Sequence, residues 1–393
     1  MMNNYSKGKK VMAAMSGGVD SSVAALLLKE KGYDVVGVTL RLWVDPLAEA
    51  EAGTEARGCC SLDAVSDARR VADMLDIPHY VLNMQDEFYT SIVTDFITAY
   101  LDGRTPNPCI ECNRIIKFSY LRRKAQAMGI NFLATGHYAR IAYDAEAGQY
   151  RLYKGIDRQK DQSYMLYMLG QEELASVLFP LGELTKQQVR EIAAAKKLRV
   201  ADKKESQEIC FIPDNDYRAF LKREYPQARQ PGDIVSASGR KLGRHSGIVN
   251  YTVGQRKGLG LTTPRPLYVV QLDARRNIVI VGEEGETYSS GLLAGQLHFV
   301  SGDAPAEDTE IQVKIRYRAA AVPAILFPPA DNRARVIFKE QQKAVTPGQS
   351  AVFYRGVEVF GGGLIEAPLP KLQISPLLKQ ALLREKNNGN NWL

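Results

Sequence analysis

From Lys10 to about Gly136 the chain alternates short apolar runs with segments of helical period: VMAAM, VDSSVAALLLKEKG, DVVGVTL, LDAVSDARRVADMLD, HYVLNM, EFYTSIVTDFITAY and FLATG. Apolar runs bounded by turns read as buried strands, and the periodic segments between them as amphipathic helices. The pattern predicts a parallel, doubly wound α/β sheet. Residues 44–58, VDPLAEAEAGTEARG, break the alternation and predict a solvent-exposed insertion. A hairpin, IAYDAEAGQYRLYKG, follows the expected last strand, and a helix from Thr185 to Lys197 closes this first unit, placed at 1–204. The texture then changes. Residues 231–260 are rich in glycine and turn signals and carry Arg240, Lys241, Arg244, Arg256 and Lys257 against Asp233 alone, which predicts a small basic central domain over 205–283. From Pro266 to Ile365 short alternating strands dominate, as in IQVKIRYR, ARVIFKE and AVFYRGVEVFGGG, and predict an all-β barrel, placed at 284–370. Residues 371–393 read as a partly disordered tail.

A chain of 393 residues exceeds what one hydrophobic core supports, in keeping with several domains. Its longest apolar stretches, Val23 to Leu28 and Tyr164 to Leu169, fall far short of the roughly 20 residues a bilayer-spanning helix needs. Lys7, Lys9 and Lys10 precede only Val11 to Met15 before Ser16 and two glycines, too little for a secretory core. The expectation is a cytoplasmic protein with no membrane partner. The excess of 51 Lys and Arg over 44 Asp and Glu gives a net charge of +7, compatible with a polyanionic partner but equally with an ordinary solvated surface. Five cysteines make a poor disulfide scaffold in so long a chain, and an odd number in a reducing compartment points to metal binding or thiol chemistry.

Two constellations carry chemistry. The first is Ser16-Gly17-Gly18-Val19-Asp20-Ser21-Ser22, between an apolar strand and a helix whose Val23, Leu26 and Leu27 are expected to face the sheet. Two glycines let backbone N–H groups converge on an anion, and the helix dipole adds positive charge at the same point. Ser16, Ser21 and Ser22 are candidate hydroxyl donors, and Asp20 is a candidate Mg²⁺ ligand or helix cap. A Walker A loop carries a Lys before its Ser or Thr to reach the terminal phosphates; this loop has none, which disfavours γ-phosphate transfer. The second is TPNPCIECNRIIKF, a proline-stiffened loop running into a basic helix, with Cys112 expected near the helix start, where the dipole and Arg114 or Lys117 favour a thiolate. Cys210 lies far away within ESQEICF. A lone Cys is more often a small buried apolar residue, and that reading stands for Cys59 and Cys60, which have nothing beside them to activate a thiolate.

SGGVDSS resembles the loop of the N-type ATP pyrophosphatases, which hold the leaving pyrophosphate while a substrate oxygen attacks the α-phosphate. Together with TPNPCIECNRIIKF, ATGHYAR, KDQSYMLY, ESQEICFI, GRHSGIVNYTVGQRKGLG and TPGQ, in order from residue 10 to about 365, it makes the chain closely resemble the tRNA-specific 2-thiouridylases. That resemblance implies an ATP pyrophosphatase domain at the N-terminus, with Cys112 as nucleophile and Cys210 as carrier of persulfide sulfur. It implies ATP against Ala14, Met15, Ser16, Gly17, Gly18, Val19, Asp20, Ser21, Leu40 and Gly136. It further implies that His137, Lys160, Asp161, Gln162, Arg316, Tyr317 and Gln349 lie near the tRNA. In residues 311–318 strict alternation places Gln312, Lys314, Arg316 and Arg318 on one face, a basic strand suited to RNA phosphates.

The implied activity is adenylation of the C2 oxygen of uridine 34 in tRNAs of the Lys, Glu and Gln type, followed by sulfur substitution with release of AMP and pyrophosphate. ATP and Mg²⁺ are the implied cofactors; a sulfur relay protein or cysteine desulfurase and a thiol reductant are the implied partners. One position departs from the common family pattern: Cys109 stands where many members carry Asp. Its thiol, with those of Cys112 and Cys210, opens a second route through a three-thiolate metal or iron–sulfur cluster. Within the loop family a 4-thiouridine synthase or an amidotransferase-fed synthetase competes, but neither explains ESQEICFI and GQRKGLG. A zinc- or redox-responsive RNA-binding protein, which would form no AMP, is the rival from another class.

Overall fold

The computed structural model describes residues 8–43, 62–203, 209–212, 216–228 and 230–370. The 44–58 insertion, Cys59, Cys60, all of ESQE and the 371–393 tail lie outside the described residues. Among the described residues no helix is long and apolar enough to cross a membrane.

The N-terminal part contributes β1 (Lys10–Ala14), β2 (Asp34–Arg41), β3 (His79–Asn83) and β4 (Phe132–Ala134), then a hairpin of β5 (Ala139–Asp144) and β6 (Gln149–Lys154), then β7 (Val177–Leu178). Five of these form one parallel sheet in the order β3-β2-β1-β4-β7. β4 is therefore not the last strand of the sheet, because the two-residue β7, too short to register as an apolar run, pairs with it. Helices α1 (Val19–Glu30), α2 (Leu62–Met74), α3 (85–101), α4 (108–127), α5 (Gln171–Ser176) and α6 (Lys186–Ala195) belong to this part. Thr185 caps α6, accepting from the Gln188 N–H while the Gln188 side chain returns to the Thr185 N–H, so the helix begins where its capping box dictates.

β1 shows why the sheet must be covered twice. Val11 and Ala13 join one core with α1, α2 and α6, while Met12 faces a second core with Phe118, Leu121 and Ala125 of α4. On α1, Val23 and Leu26 are buried as expected; Leu27 is only partly covered and Leu28 is buried in its place. Both α3 and α4 widen in their middles into i→i+5 hydrogen-bonded turns, at Tyr89–Val93 and Cys112–Leu121.

Helix α7 (Tyr217–Glu224) leads into a four-stranded sheet of β8 (Gly232–Ser236), β9 (Lys241–His245), β10 (Tyr268–Asp273) and β11 (Ile278–Gly282), ordered β10-β11-β8-β9. The C-terminal strands are β12 (Tyr288–Phe299), β13 (Thr309–Lys314), β14 (Val322–Leu326), β15 (Arg333–Lys343), β16 (Ser350–Arg355) and β17 (Glu358–Leu369). They run β12-β15-β14-β13-β16-β17, all antiparallel, and β17 returns to β12, closing a six-stranded barrel with no free edge inside the ring. The β5–β6 hairpin, far upstream in sequence, adds to this barrel through Val359 opposite Leu152 and Glu358 opposite Tyr153.

That pairing fuses the parts. Leu152 is fully buried in a core that also holds Met12 and Leu133 of the parallel sheet and Val352, Tyr354 and Val359 of the barrel. Leu152→Ala is expected to cost about 2–5 kcal/mol. Because the cavity opens between the two parts, urea unfolding of the variant should remain one transition moved to lower denaturant. An unmoved barrel transition beside a destabilised N-terminal one would contradict the shared core.

Candidate functional site

Strand order places a crevice between β1 and β4. The chain leaves β1 toward β2 on one side and β4 toward β7 on the other, and ligands of such sheets sit beyond the carboxyl ends at this reversal. Two loops meet there: 16–22, running from β1 into α1, and 135–137, following β4. Gly17 sits at φ +69°, and a Cβ on it would stand 2.1 Å from the Ala64 carbonyl oxygen of α2. A Cβ on Gly136 would stand 2.8 Å from the Ser21 nitrogen. Both contacts are with backbone, so only glycine lets the loops close to this distance. The first-turn N–H groups of α1, which have no intrahelical acceptor, point into the crevice end of the helix and form an anion cradle. The structure thus brings together Ala14 to Ser21 and Gly136, the set expected to face a nucleotide, with Leu40 half-buried at the end of neighbouring β2.

The serines are turned differently from the expectation. Ser21 and Ser22 donate their hydroxyls inward to the Gly18 carbonyl, at 3.2 and 2.9 Å, and Ser21 Oγ also accepts the Ser16 N–H at 3.1 Å. They brace the loop, and the hydroxyl of exposed Ser16 meets Ser21 Oγ at 3.3 Å. Gly18, not Asp20, is the N-cap. Asp20 lies in the first turn with both oxygens held by Lys186 Nζ, at 2.7 and 2.8 Å, and one also held by the Tyr138 hydroxyl at 2.7 Å. Mg²⁺ asks for carboxylate oxygens left open to it. Asp20 does not fit that role; it is a positioning carboxylate. Nearby, Lys203 Nζ bridges the Gly17 carbonyl at 3.0 Å and Asp67 of α2 at 2.6 Å. Sequence reasoning missed Lys186, Lys203 and Tyr138, since nothing in their local patterns announces contact with a loop more than a hundred residues upstream.

Cys112 is the fifth residue of α4, near its start but past the first turn; Pro108 at the first position, where no N–H is needed, puts Cys109 in that first turn. The basic residues expected beside Cys112 are engaged elsewhere: Arg114 Nε donates to Glu111 at 2.9 Å and Lys117 to the Asn113 oxygen at 3.0 Å. Cys112 is buried, and Cys210 packs half-buried against the same apolar cluster, with Phe88, Ile116, Phe211 and Trp43. Folding therefore places cysteines from two distant stretches of chain on one apolar cluster. Among the described residues no group of three or more His, Cys, Asp or Glu side chains is arranged to hold a metal ion, so the expected Cys109, Cys112 and Cys210 cluster site is not assembled.

Several residues expected near RNA are held by the chain itself. Asp161 accepts from the N–H groups of Gly155 and Ser163 and from the Ser163 hydroxyl, at 2.9–3.1 Å, while Lys160 sits half-buried in the same turn. Gln162 accepts the Tyr138 N–H at 3.0 Å. β13 ends at Lys314, so Arg316 leaves the basic strand face and donates to Ala344 and Thr346; burial lowers its pKa. Lys314 lies over the rings of Tyr164 and Tyr317, 5.7 and 5.4 Å from their centroids. Gln349 donates to the Thr105 and Pro106 carbonyls. In the central sheet Asp233 pairs with Lys241 at 2.7 Å and reaches Arg244 at 4.0 Å, and Arg240, Lys241, Arg244, Arg256 and Lys257 are all exposed.

His137 packs between Phe118 and Phe179, and its Nδ1 meets the Thr135 hydroxyl at 2.7 Å. Burial, and then Lys117, push its pKa well below the ordinary 6.5, so the ring is neutral. His79 and His245 shift the same way, first through burial.

A parallel sheet with a glycine- and serine-rich helix N-terminus at its switch point defines an α/β nucleotide-binding protein, and two of its cysteines share one apolar cluster. Three family models match in order: a tRNA methyl transferase HUP domain over residues 9–214, a tRNA methyl transferase PRC-barrel domain over 218–283 and an aminomethyltransferase beta-barrel domain over 289–365. The tRNA-specific 2-thiouridylase MnmA of Carboxydothermus hydrogenoformans is 53% identical over 361 residues, covering 92% of this chain and 98% of that protein. The protein of the same name from Geotalea uraniireducens is 53% identical over 367 residues, covering 93% and 97%. The chain belongs to the tRNA-specific 2-thiouridylase family.

The histidines set a pH dependence. Above about pH 6.5 folded and unfolded states both hold them neutral; below it the unfolded chain takes up protons that the fold refuses, so stability falls as pH drops. The urea midpoint should be lower at pH 5.5 than at 7.5, and His137→Gln should shrink that difference. An undiminished difference in the variant would show that His137 is not a source of it.

Proposed function

We propose that this chain is an ATP-dependent tRNA-uridine 2-sulfurtransferase acting on uridine 34 of tRNAs of the Lys, Glu and Gln type. The observation that carries this reading is the joint placement of the phosphate cradle and of Cys112 with Cys210 in one chain, in a family whose relatives are named for 2-thiouridine formation. A carbonyl oxygen at C2 is a poor leaving group, so it must first be activated. The uridine oxygen attacks the α-phosphate of ATP, and pyrophosphate leaves toward the α1 N-terminus, whose N–H groups stabilise its charge. The terminal sulfur of a persulfide on Cys210 then attacks C2 and AMP departs. The Cys112 thiolate attacks the remaining Cys210 sulfur, releasing the thiocarbonyl and leaving a Cys112–Cys210 disulfide. An external thiol reductant restores both thiols, and a cysteine desulfurase or relay protein reloads Cys210. Burial of Cys112 within an apolar cluster suits a group that meets only a delivered sulfur.

In this reading residues 1–204 perform activation, while the 205–283 and 284–370 domains hold the tRNA, with Arg256 and Lys257 on the exposed central surface among the phosphate contacts. Methyl transfer, which the names of two family models suggest, would leave the pyrophosphate cradle without a role.

Incubation with ATP, Mg²⁺, a sulfur source and unmodified tRNA should yield 2-thiouridine by nucleoside mass spectrometry; AMP without 2-thiouridine would sink the sulfur step. Cys112→Ser and Cys210→Ser should each abolish thiolation with tRNA affinity unchanged, and retained thiolation in either would remove that cysteine from the mechanism. Gly136→Ala forces a Cβ against the Ser21 nitrogen and should slow AMP formation on the order of 100-fold. Normal AMP formation in it would place activation elsewhere.

A further inference from the structure

The helix carrying Cys109 and Cys112 is launched from residues 105–107, and the barrel holds that launch. Thr105 donates its N–H to the Pro347 carbonyl at 2.8 Å. Gln349 Nε2 donates back to the Thr105 carbonyl at 2.8 Å and the Pro106 carbonyl at 3.4 Å. Between them Gly348 sits at φ +91°, where a Cβ would lie 2.7 Å from the Thr105 nitrogen, so the two backbones touch. The next residue, Ser350, accepts the Tyr164 hydroxyl on its carbonyl at 2.8 Å and meets the Tyr167 hydroxyl through its own at 3.3 Å. The 163–167 segment grips the cysteine helix in turn: Asn113 Nδ2 donates to the Met165 carbonyl at 2.9 Å, and Asn107 Nδ2 lies 3.7 Å from the Met165 sulfur.

Four consecutive barrel residues, 347–350, therefore hold both segments that fix the first turns of α4. The chemistry of the loop explains the need. Pro106 and Pro108 supply no N–H and favour extended backbone at Thr105 and Asn107, so the Thr105 and Pro106 carbonyls precede the helix and look outside it for donors. The Gln349 amide nitrogen supplies a donor to both.

We infer that Gln349 is a positioning residue that straps the barrel to the cysteine loop, setting where Cys112 stands relative to whatever the barrel holds. RNA seated on the barrel and the sulfur-handling helix are thereby kept in one frame, and Gln349 acts on the reaction through Cys112 and not by touching RNA. The inference rests on the reading of Cys112 as the nucleophile.

The test uses the full-length chain with Gln349→Ala and Gln349→Glu, the second keeping the side-chain shape while removing the donors. Three measurements are made: amide hydrogen exchange over 104–113 without RNA, tRNA affinity by filter binding, and thiolation, followed at steady state and, for AMP release, in a single turnover. The strap predicts about tenfold faster exchange at 104–113, the effect of losing roughly 1.4 kcal/mol of local stability. It also predicts a steady-state thiolation kcat lowered about tenfold or more, with tRNA affinity and the AMP release of a single turnover within twofold of the unsubstituted chain. Affinity falling in step with thiolation would make Gln349 an RNA contact and overturn the strap. So would unsubstituted exchange rates in the glutamate variant. Absence of thiolation in the unsubstituted chain would instead sink the reading of Cys112, and the exchange rates would still decide the strap.

Discussion

The contact of Lys186 and Tyr138 with Asp20 is the constraint on which the N-terminal domain is organised. Asp20 opens α1, Tyr138 follows β4 and Lys186 opens α6, so one carboxylate ties together three elements distant in the chain. Lys186 is almost fully buried, and a buried ammonium stripped of its carboxylate is strongly unfavourable. The pair therefore stays closed and holds the α1 N-terminus beside the 135–137 loop. Gly136 completes the arrangement, because the loop could not approach the Ser21 backbone with any side chain at that position. Gln162 extends the same chain of contacts by holding the Tyr138 backbone on both its N–H and its carbonyl.

The cysteine helix occupies the other side of the sheet, where all three parts of the protein meet. Its Cys112 and Ile116 point into a cluster shared with α3, α7 and the central sheet, while its Phe118 and Leu121 point into the core shared with the hairpin and barrel. The widened turn across Cys112–Leu121 lets one helix serve both. A barrel that shares a core with the catalytic domain and straps its proline loop is part of the machinery that orders the site.

Polar residues in short motifs are the ones whose contacts within the chain no local pattern announced. Asp161, Gln162, Arg316 and Gln349 all sit in motifs that the family resemblance associates with RNA, yet each is engaged within the chain. The physical reason is common to them: irregular loops leave backbone donors and acceptors that must be satisfied when half-buried, and side-chain amides and carboxylates do this best.

The sequence by itself determined the elements, because periodicity is a local property: the alternation of strands and helices, the glycine-rich turn into α1, the capped start of α6 and the short alternating strands of the barrel were all legible. It determined the cysteines and the phosphate loop as candidates, because thiol chemistry and anion cradles have local signatures. The tertiary structure decided what depends on distance. Only the fold could join a hairpin at 139–154 to a strand ending at 369, through a pairing two residues long. Only the fold could end β13 at Lys314 and turn Arg316 inward, or deliver Lys186 and Lys203 to a loop that carries no lysine of its own. Partners of a charge or an amide are chosen by geometry across the whole chain, and no window of sequence contains that information.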